Sequence, residues 1–276
     1  LCGSVPRLGA PYAARAGGVK IRPTTTPHVA DVRRRRRPDY PPARVSGIGI
    51  LREGPLHAAV KDWLARPGDR AEVPVGRFVI DLVRADGELV EIQTGAFGPL
   101  GPKLDALLDD HAMRIVHPVA AERRIVRVDG DGQVTATRRS PRRLGAIAIF
   151  DRLVTFPSLL GHPHLTVEVL LCREDHVRAP APQDTRRRRT RDPGERRLTD
   201  VLDRVELRTP LDALAMLPAP LPAEPFSTRE LAQALGCGIV LAQRAVYCLR
   251  GMELLEPAGR RGRTPLHRAL GAHAPG

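Results

Sequence analysis

Apolar positions along the chain switch between helical and strand periods. In "LHAAVKDWL" (56–64), Leu56, Val60, Trp63 and Leu64 recur at helical spacing, and Pro67-Gly68 ends the segment. "AEVPVG" (71–76) is short and extended. "RFVIDLV" (77–83) and "ELVEIQT" (88–94) read as two strands joined at Asp86-Gly87. After a loop over 95–102, residues 103–110 predict a helix with Leu104, Leu107 and Leu108 inward. "MRIVHPV" (113–119) predicts a further strand. The predicted order is helix, three strands, helix, strand. A second β region follows, with a hairpin over 124–138 around Asp-Gly pairs and a long strand over 164–172.

Beyond residue 198 the pattern is that of a separate small module. Ser227 with Glu230 three positions on is a capping-box signature that opens one helix. "GCG" (236–238) makes a tight turn, residues 239–255 carry a second helix and its end, and 256–268 form a basic hairpin. The predicted organisation is a disordered basic segment over 1–47, a mixed α/β (α+β) domain over 48–178, an Arg-rich linker over 179–197, and the small module over 198–270. The first Met is Met113, which predicts a natural start near Val45; a basic nucleic-acid-binding arm is the alternative reading of the leader.

Composition narrows the partners. Apolar residues make up 42% of the 276 and aromatic residues only 3%, so a core built from Leu, Val, Ile and Ala is expected. The formal net charge of +13 favours polyanions, with DNA first. Cys2, Cys172, Cys237 and Cys248 form no C-x-x-C pair, which fits reduced thiols in the cytoplasm. No apolar run approaches the roughly 20 residues of a membrane span. DNA is therefore the expected partner, without a membrane, and homodimer formation is left open.

Three polar residues stand where the hairpin over 79–94 should be apolar: Asp81, Glu91 and Gln93. Glu91 and Gln93 share a face because side chains alternate along a strand. A two-residue turn would put Asp81 on the opposite face. A three-residue loop, Ala85-Asp86-Gly87 with Gly87 left-handed, pairs 84 with 88 and sets Asp81 across from Glu91. That loop suits Gly after Asp, and it leaves Phe78, Ile80, Leu82, Val90 and Ile92 on the apolar face. Two facing carboxylates repel unless a cation lies between them, and a hard ion such as Mg²⁺ (or Mn²⁺) needs such oxygens. A wet polar face without chemistry is the plain alternative.

Asp81 with Glu91-Ile92-Gln93, inside that order of elements, resembles the PD-(D/E)XK nuclease superfamily over about residues 50–120. The resemblance implies a restriction-endonuclease-like core (αβββαβ) with Asp81 and Glu91 on Mg²⁺. Some members add a Glu from the first helix, and Glu53 stands at its start, either as a third ligand or as a helix-start charge. Gln93 occupies the slot where the superfamily carries a Lys. An amide there orients a water but brings no charge, which Lys103 on the next helix, or Lys61 on the first, is placed to supply. The chain also resembles uncharacterised bacterial proteins that join such a domain to a C-terminal winged helix.

The C-terminal order of helix, turn, helix and basic hairpin predicts a winged helix-turn-helix. Gln243, Arg244 and Tyr247 would face the major groove, and Arg260, Arg261 and Arg263 the phosphates or minor groove. A protein-binding module remains the alternative. Arg138, Arg139, Arg142 and Arg143 flank Ser140-Pro141 and are candidate phosphate contacts. His117 and the His162/His164 pair read as structural. The functions open at this point are a Mg²⁺-dependent DNA nuclease, an inactive nuclease-like DNA-binding or regulatory protein, and an adaptor.

Overall fold

A computed structural model describes residues 54–179 and 194–270. The basic 1–47 segment, Glu53 and the arginines 186–189 lie outside the described residues. Helix α1 (Pro55–Leu64) opens on a proline, at the position where a missing N–H is harmless. Strands β1 (Arg70–Val75), β2 (Phe78–Val83) and β3 (Leu89–Ile92) follow, then α2 (Gly101–Leu107) and β4 (Met113–Val128). The order of helix, three strands, helix and strand is as the periodicity predicts.

After β4 come β5 (Val134–Arg139), a short α3 (Phe150–Leu153), β6 (Leu165–Arg178) and β7 (Glu195–Leu207). The sheet runs β1-β2-β3-β4-β6-β7, with β5 paired to the far half of β4. β4 is parallel to both β3 and β6; the other neighbours are antiparallel. The two strands expected at 113–119 and near 124 are one continuous 16-residue strand.

Helices cover both faces of the sheet, as half-apolar faces require. On one face, Leu56, Val60 and Leu64 of α1 pack on Leu82, Val90, Ile92, Val116 and Leu170. Trp63, expected inward, stands 47% exposed, because the i, i+4, i+8 row of α1 already fills the contact. On the other face lie α2, Phe150 and Leu153 of α3, and the C-terminal helices. Leu104, Leu107 and Leu108 are all buried there, as predicted. Ile80 and Phe78 also belong to this second core, so the apolar face expected for the hairpin does not continue past Asp81.

The C-terminal elements are α4 (Pro210–Ala215), α5 (Thr228–Ala234), α6 (Ile239–Gly251), β8 (Leu255–Arg261) and β9 (Thr264–Ala269). Ser227 and Glu230 cap α5 reciprocally, as read from the sequence. α5 and α6 meet at a bend of 107°. Phe226 bridges His267 of β9, adding a third extended segment beside the hairpin.

Two boundaries are corrected. The linker expected over 179–197 and the module start at 198 give way to β7, which pairs with β6 from Glu195 to Leu207 and belongs to the main sheet. Its edge position and two register shifts break the alternation that would have marked it as a strand. Nor is the C-terminal unit separate. Leu231, Ala245, Cys248 and Leu249 share one core with α2 and α3, and α6 lies so close to Pro157 that only glycine fits at 251.

That contact makes Gly251→Ala informative. A Cβ there would sit 2.8 Å from Pro157 Cγ and 2.9 Å from its Cβ. In an open helix the exchange stabilises by about 0.5–1 kcal/mol; here overpacking costs about 1–3 kcal/mol instead. Urea denaturation of the full chain gives the sign, and a higher midpoint would refute the packing.

His117 gives a second test. Its Nδ1–H donates to the Gln93 carbonyl at 2.5 Å, and its ring meets Phe97 edge-on at 5.5 Å. Burial, helped by the charges of Arg152 and Arg196, outweighs that bond and lowers its pKa from 6.5 to about 4. The folded value lies below the unfolded one. The neutral ring's contribution is therefore complete above pH 6.5 and is lost as pH falls through about 4, to a total of about 3 kcal/mol. His117→Gln should flatten this part of the pH–stability profile; a profile identical to wild type would exclude the assignment.

Candidate functional site

The hairpin loop decides the site. Arg84 N–H donates to the Glu88 carbonyl at 2.9 Å, Gly87 N–H donates to the Arg84 carbonyl at 3.0 Å, and Gly87 has φ 92°. Asp86 Oδ1 accepts the Glu88 amide at 3.1 Å, which explains an Asp before the Gly. Val83 then pairs with Leu89 and Leu82 with Val90, so Asp81 lies opposite Glu91. This is the three-residue register derived from the sequence.

The ladder stops at that pair. Continued, it would send the Ile92 amide to the Ile80 carbonyl. The amide donates instead to Asp81 Oδ2 at 2.7 Å, so a carboxylate replaces a carbonyl and the strands part. His57 Nε2 of α1 lies 3.2 Å from the same oxygen. From α2, Lys103 Nζ reaches Glu91 Oε1 at 2.6 Å and the Val79 carbonyl at 2.8 Å. Lys103 thus places a cation on Glu91.

The two acids are driven in opposite directions. Burial would raise Asp81, but the His57 bond, the Ile92 amide and the charges of His57 and Lys103 hold it below its ordinary pKa. Burial raises Glu91; the Lys103 bond opposes this, the charge of Asp81 adds to it, and the net value is raised. Neighbouring carboxylates with divergent pKa values are the usual arrangement where one must stay charged and the other exchange a proton.

Other predicted residues fall elsewhere. The Gln93 side chain donates to the Ala96 carbonyl at 2.8 Å, folded onto its own loop. Lys61 reaches Glu72 at 2.5 Å. Glu72 sits beside Asp81 in the β1–β2 register and has φ 54°, a left-handed conformation that is costly for a residue with a Cβ. Glu72 reads from the sequence as solvated, whereas His57 was not singled out; only its i, i+4 spacing with Lys61 on one face of α1 could have drawn attention to it.

Among the described residues, no group of three or more His, Cys, Asp and Glu side chains is disposed to hold a metal. Asp81 and Glu91 nonetheless offer hard oxygen donors on adjacent strands, which suits Mg²⁺ with several retained waters.

Of the predicted DNA contacts, Arg138 and Arg139 are exposed on β5, but they alternate and point to opposite faces. Arg142 and Arg143 are exposed in the following loop. Arg127 and Arg178, which the sequence did not suggest, are exposed register partners on the Arg138 side. On α6, Gln243 is exposed, whereas Arg244 is paired with Asp151 at 2.7 Å. Arg260 and Arg263 are exposed; Arg261 pairs with Glu230 at 2.7 Å. His164 Nδ1 bonds the Leu108 carbonyl at 2.9 Å, the structural role expected for it. No single helix among the described residues is long and apolar enough to cross a membrane.

Comparison with known proteins adds family membership. No solved structure matches the chain. An uncharacterised protein of Treponema pallidum (strain Nichols) is 31% identical over 221 residues, covering 80% of this chain and 87% of that protein. The family described as Domain of unknown function (DUF8091) matches residues 54–208, which end one residue past β7 and so take in the whole sheet with its candidate site. The chain belongs to the DUF8091 family.

Proposed function

We propose that the chain is a Mg²⁺-dependent DNA nuclease of PD-(D/E)XK type, joined to a C-terminal winged helix that holds the duplex. The observation that carries this reading is the pairing of Asp81 with Glu91 where the β2–β3 ladder opens, with Lys103 on Glu91. The bend between α5 and α6, the hairpin β8–β9 and the arginines of its tip support the second half.

Asp81 and Glu91 would hold the ion, whose chemistry is to bind a phosphate oxygen and acidify a bound water. His57 fixes the rotamer and charge of Asp81. Lys103 offsets the charge of Glu91 and lies close enough to turn toward a phosphoryl oxygen, where a positioned cation counters charge developing in the transition state. The Gln93 amide must leave the Ala96 carbonyl before it can orient a water.

One observation favours a second reading, an inactive DNA-binding platform. Gln93 is already satisfied by Ala96, and Lys103 already neutralises Glu91. The pair is therefore stable without a metal.

Incubation of plasmid, linear duplex and branched DNA with Mg²⁺ or Mn²⁺ separates the two. The nuclease reading expects cutting that falls at least about 100-fold in Asp81→Ala and in Lys103→Met, with DNA binding retained. It also expects the divalent ion to raise the Tm of wild type but not of Asp81→Ala. If wild type cuts none of these substrates and its Tm ignores the ion, the inactive platform is correct.

A further inference from the structure

Helix α6 has one side committed to the rest of the protein and one side left outside. Arg244 bonds Asp151, Cys248 Sγ lies 3.8 Å from the Phe150 carbonyl, and Gly251 abuts Pro157. Ala242, Ala245, Val246 and Leu249 are buried. The outer stripe is Val240, Gln243 and Tyr247, at i, i+3 and i+7, with Ile239 beside it in the first turn. Ile239 is 46% exposed, Val240 55% and Tyr247 58%. Aliphatic side chains at the start of an exposed helix, just after a turn bending 107° from α5, stand where a recognition helix brings its N-terminal residues to base edges.

Their chemistry selects among bases. In the major groove, the thymine methyl is the one apolar group, and Gln pairs bidentately with adenine N6 and N7. Guanine calls for a bidentate Arg or Lys. Arg244 is on the committed side, paired with Asp151, and Arg250 stands in the last turn, roughly 16 Å along the axis from Ile239. Charge favours DNA over a protein partner. Residues 208–270 hold 8 Arg against 5 Asp and Glu, and Arg260 and Arg263 at the hairpin tip are exposed with no ion pair among the described residues.

We infer that α6 reads A·T base pairs in the major groove of duplex DNA, with Gln243 on adenine and Ile239 and Val240 on thymine methyls. This rests on the reading of the C-terminal unit as a duplex-binding module, and it adds the base preference.

The test is selection of a randomised duplex library by the full-length protein, followed by titration of the enriched duplex. Enrichment of A·T pairs is expected. Replacing dT by dU in the enriched duplex removes only the major-groove methyl and should weaken binding roughly 4-fold per methyl contacted. Gln243→Ala should lose at least about 5-fold of the preference for A·T over G·C. Its exposed position leaves the fold intact, which circular dichroism verifies.

An A·T preference unchanged by both dU substitution and Gln243→Ala would come from arginines in a narrow minor groove and would overturn the inference. So would binding with no base preference, or with a G·C preference, while duplex binding itself stands. Absence of binding to any duplex would overturn the duplex-binding reading and this inference together.

Discussion

A left-handed residue at the tip of one hairpin decides how the sheet is filled. Gly87, at φ 92°, closes the loop Ala85–Gly87 so that Arg84 pairs with Glu88. A slip of one residue would turn every side chain of β3 to the other face. Val90 and Ile92 would leave α1, at a cost of about 1.5–3 kcal/mol each, and Glu91 would take their place against Leu56 and Val60. The same register brings Asp81 to Glu91. Core and candidate site are thus two consequences of one turn.

Buried acids recur across the sheet, and their partners sort them. Glu174, fully buried, is clamped by Arg123 at 2.5 Å and Arg196 at 2.8 Å. Glu168 takes Arg114 at 2.7 Å, and Arg114 also holds Glu88 and Glu206. Arginine stays charged and meets carboxylates in a planar fork, which suits pairs meant to be permanent. Asp81 and Glu91 meet a histidine and a lysine instead. Neither brings the planar fork of arginine, and lysine holds a carboxylate as a point charge on a flexible stem. This contrast in partner, more than burial, marks the hairpin acids as the pair whose contacts can be remade.

The sequence showed the parts governed by local rules. The hairpin register followed from Asp86-Gly87 and the alternation around it, and α2 with inward Leu104, Leu107 and Leu108 followed from helical spacing. Lys103 was within view because it lies on that helix. What escaped depended on partners distant in the chain. β7 is a polar edge strand whose place is set by its ladder to β6, and Arg196 is tied to Glu174 from a stretch that reads as linker. His57 meets Asp81 only because α1 lies over the hairpin. The C-terminal unit read as independent because its own capping and turns are complete. Its attachment through Gly251 and Arg244 is a matter of shape and one ion pair.

Helix α1 then links the two parts of the charge arrangement. His57 and Lys61, one turn apart, face Asp81 and Glu72, which are neighbours across β1 and β2. With Lys103 on Glu91, three acids meet three basic groups, each held through one carboxylate oxygen: Asp81 through Oδ2, Glu91 through Oε1 and Glu72 through Oε1. Lys103 is the group with another place to rest, since its Nζ also bonds the Val79 carbonyl. The left-handed backbone of Glu72 holds strain next to Asp81 that a flat strand would not carry. On the nuclease reading, a divalent ion would share the Glu91 carboxylate with Lys103, which keeps the Val79 carbonyl as a second partner. Burial is the largest cause of the raised pKa of Glu91 and the Lys103 bond opposes it, so its charged form gains from any further cation that comes within reach.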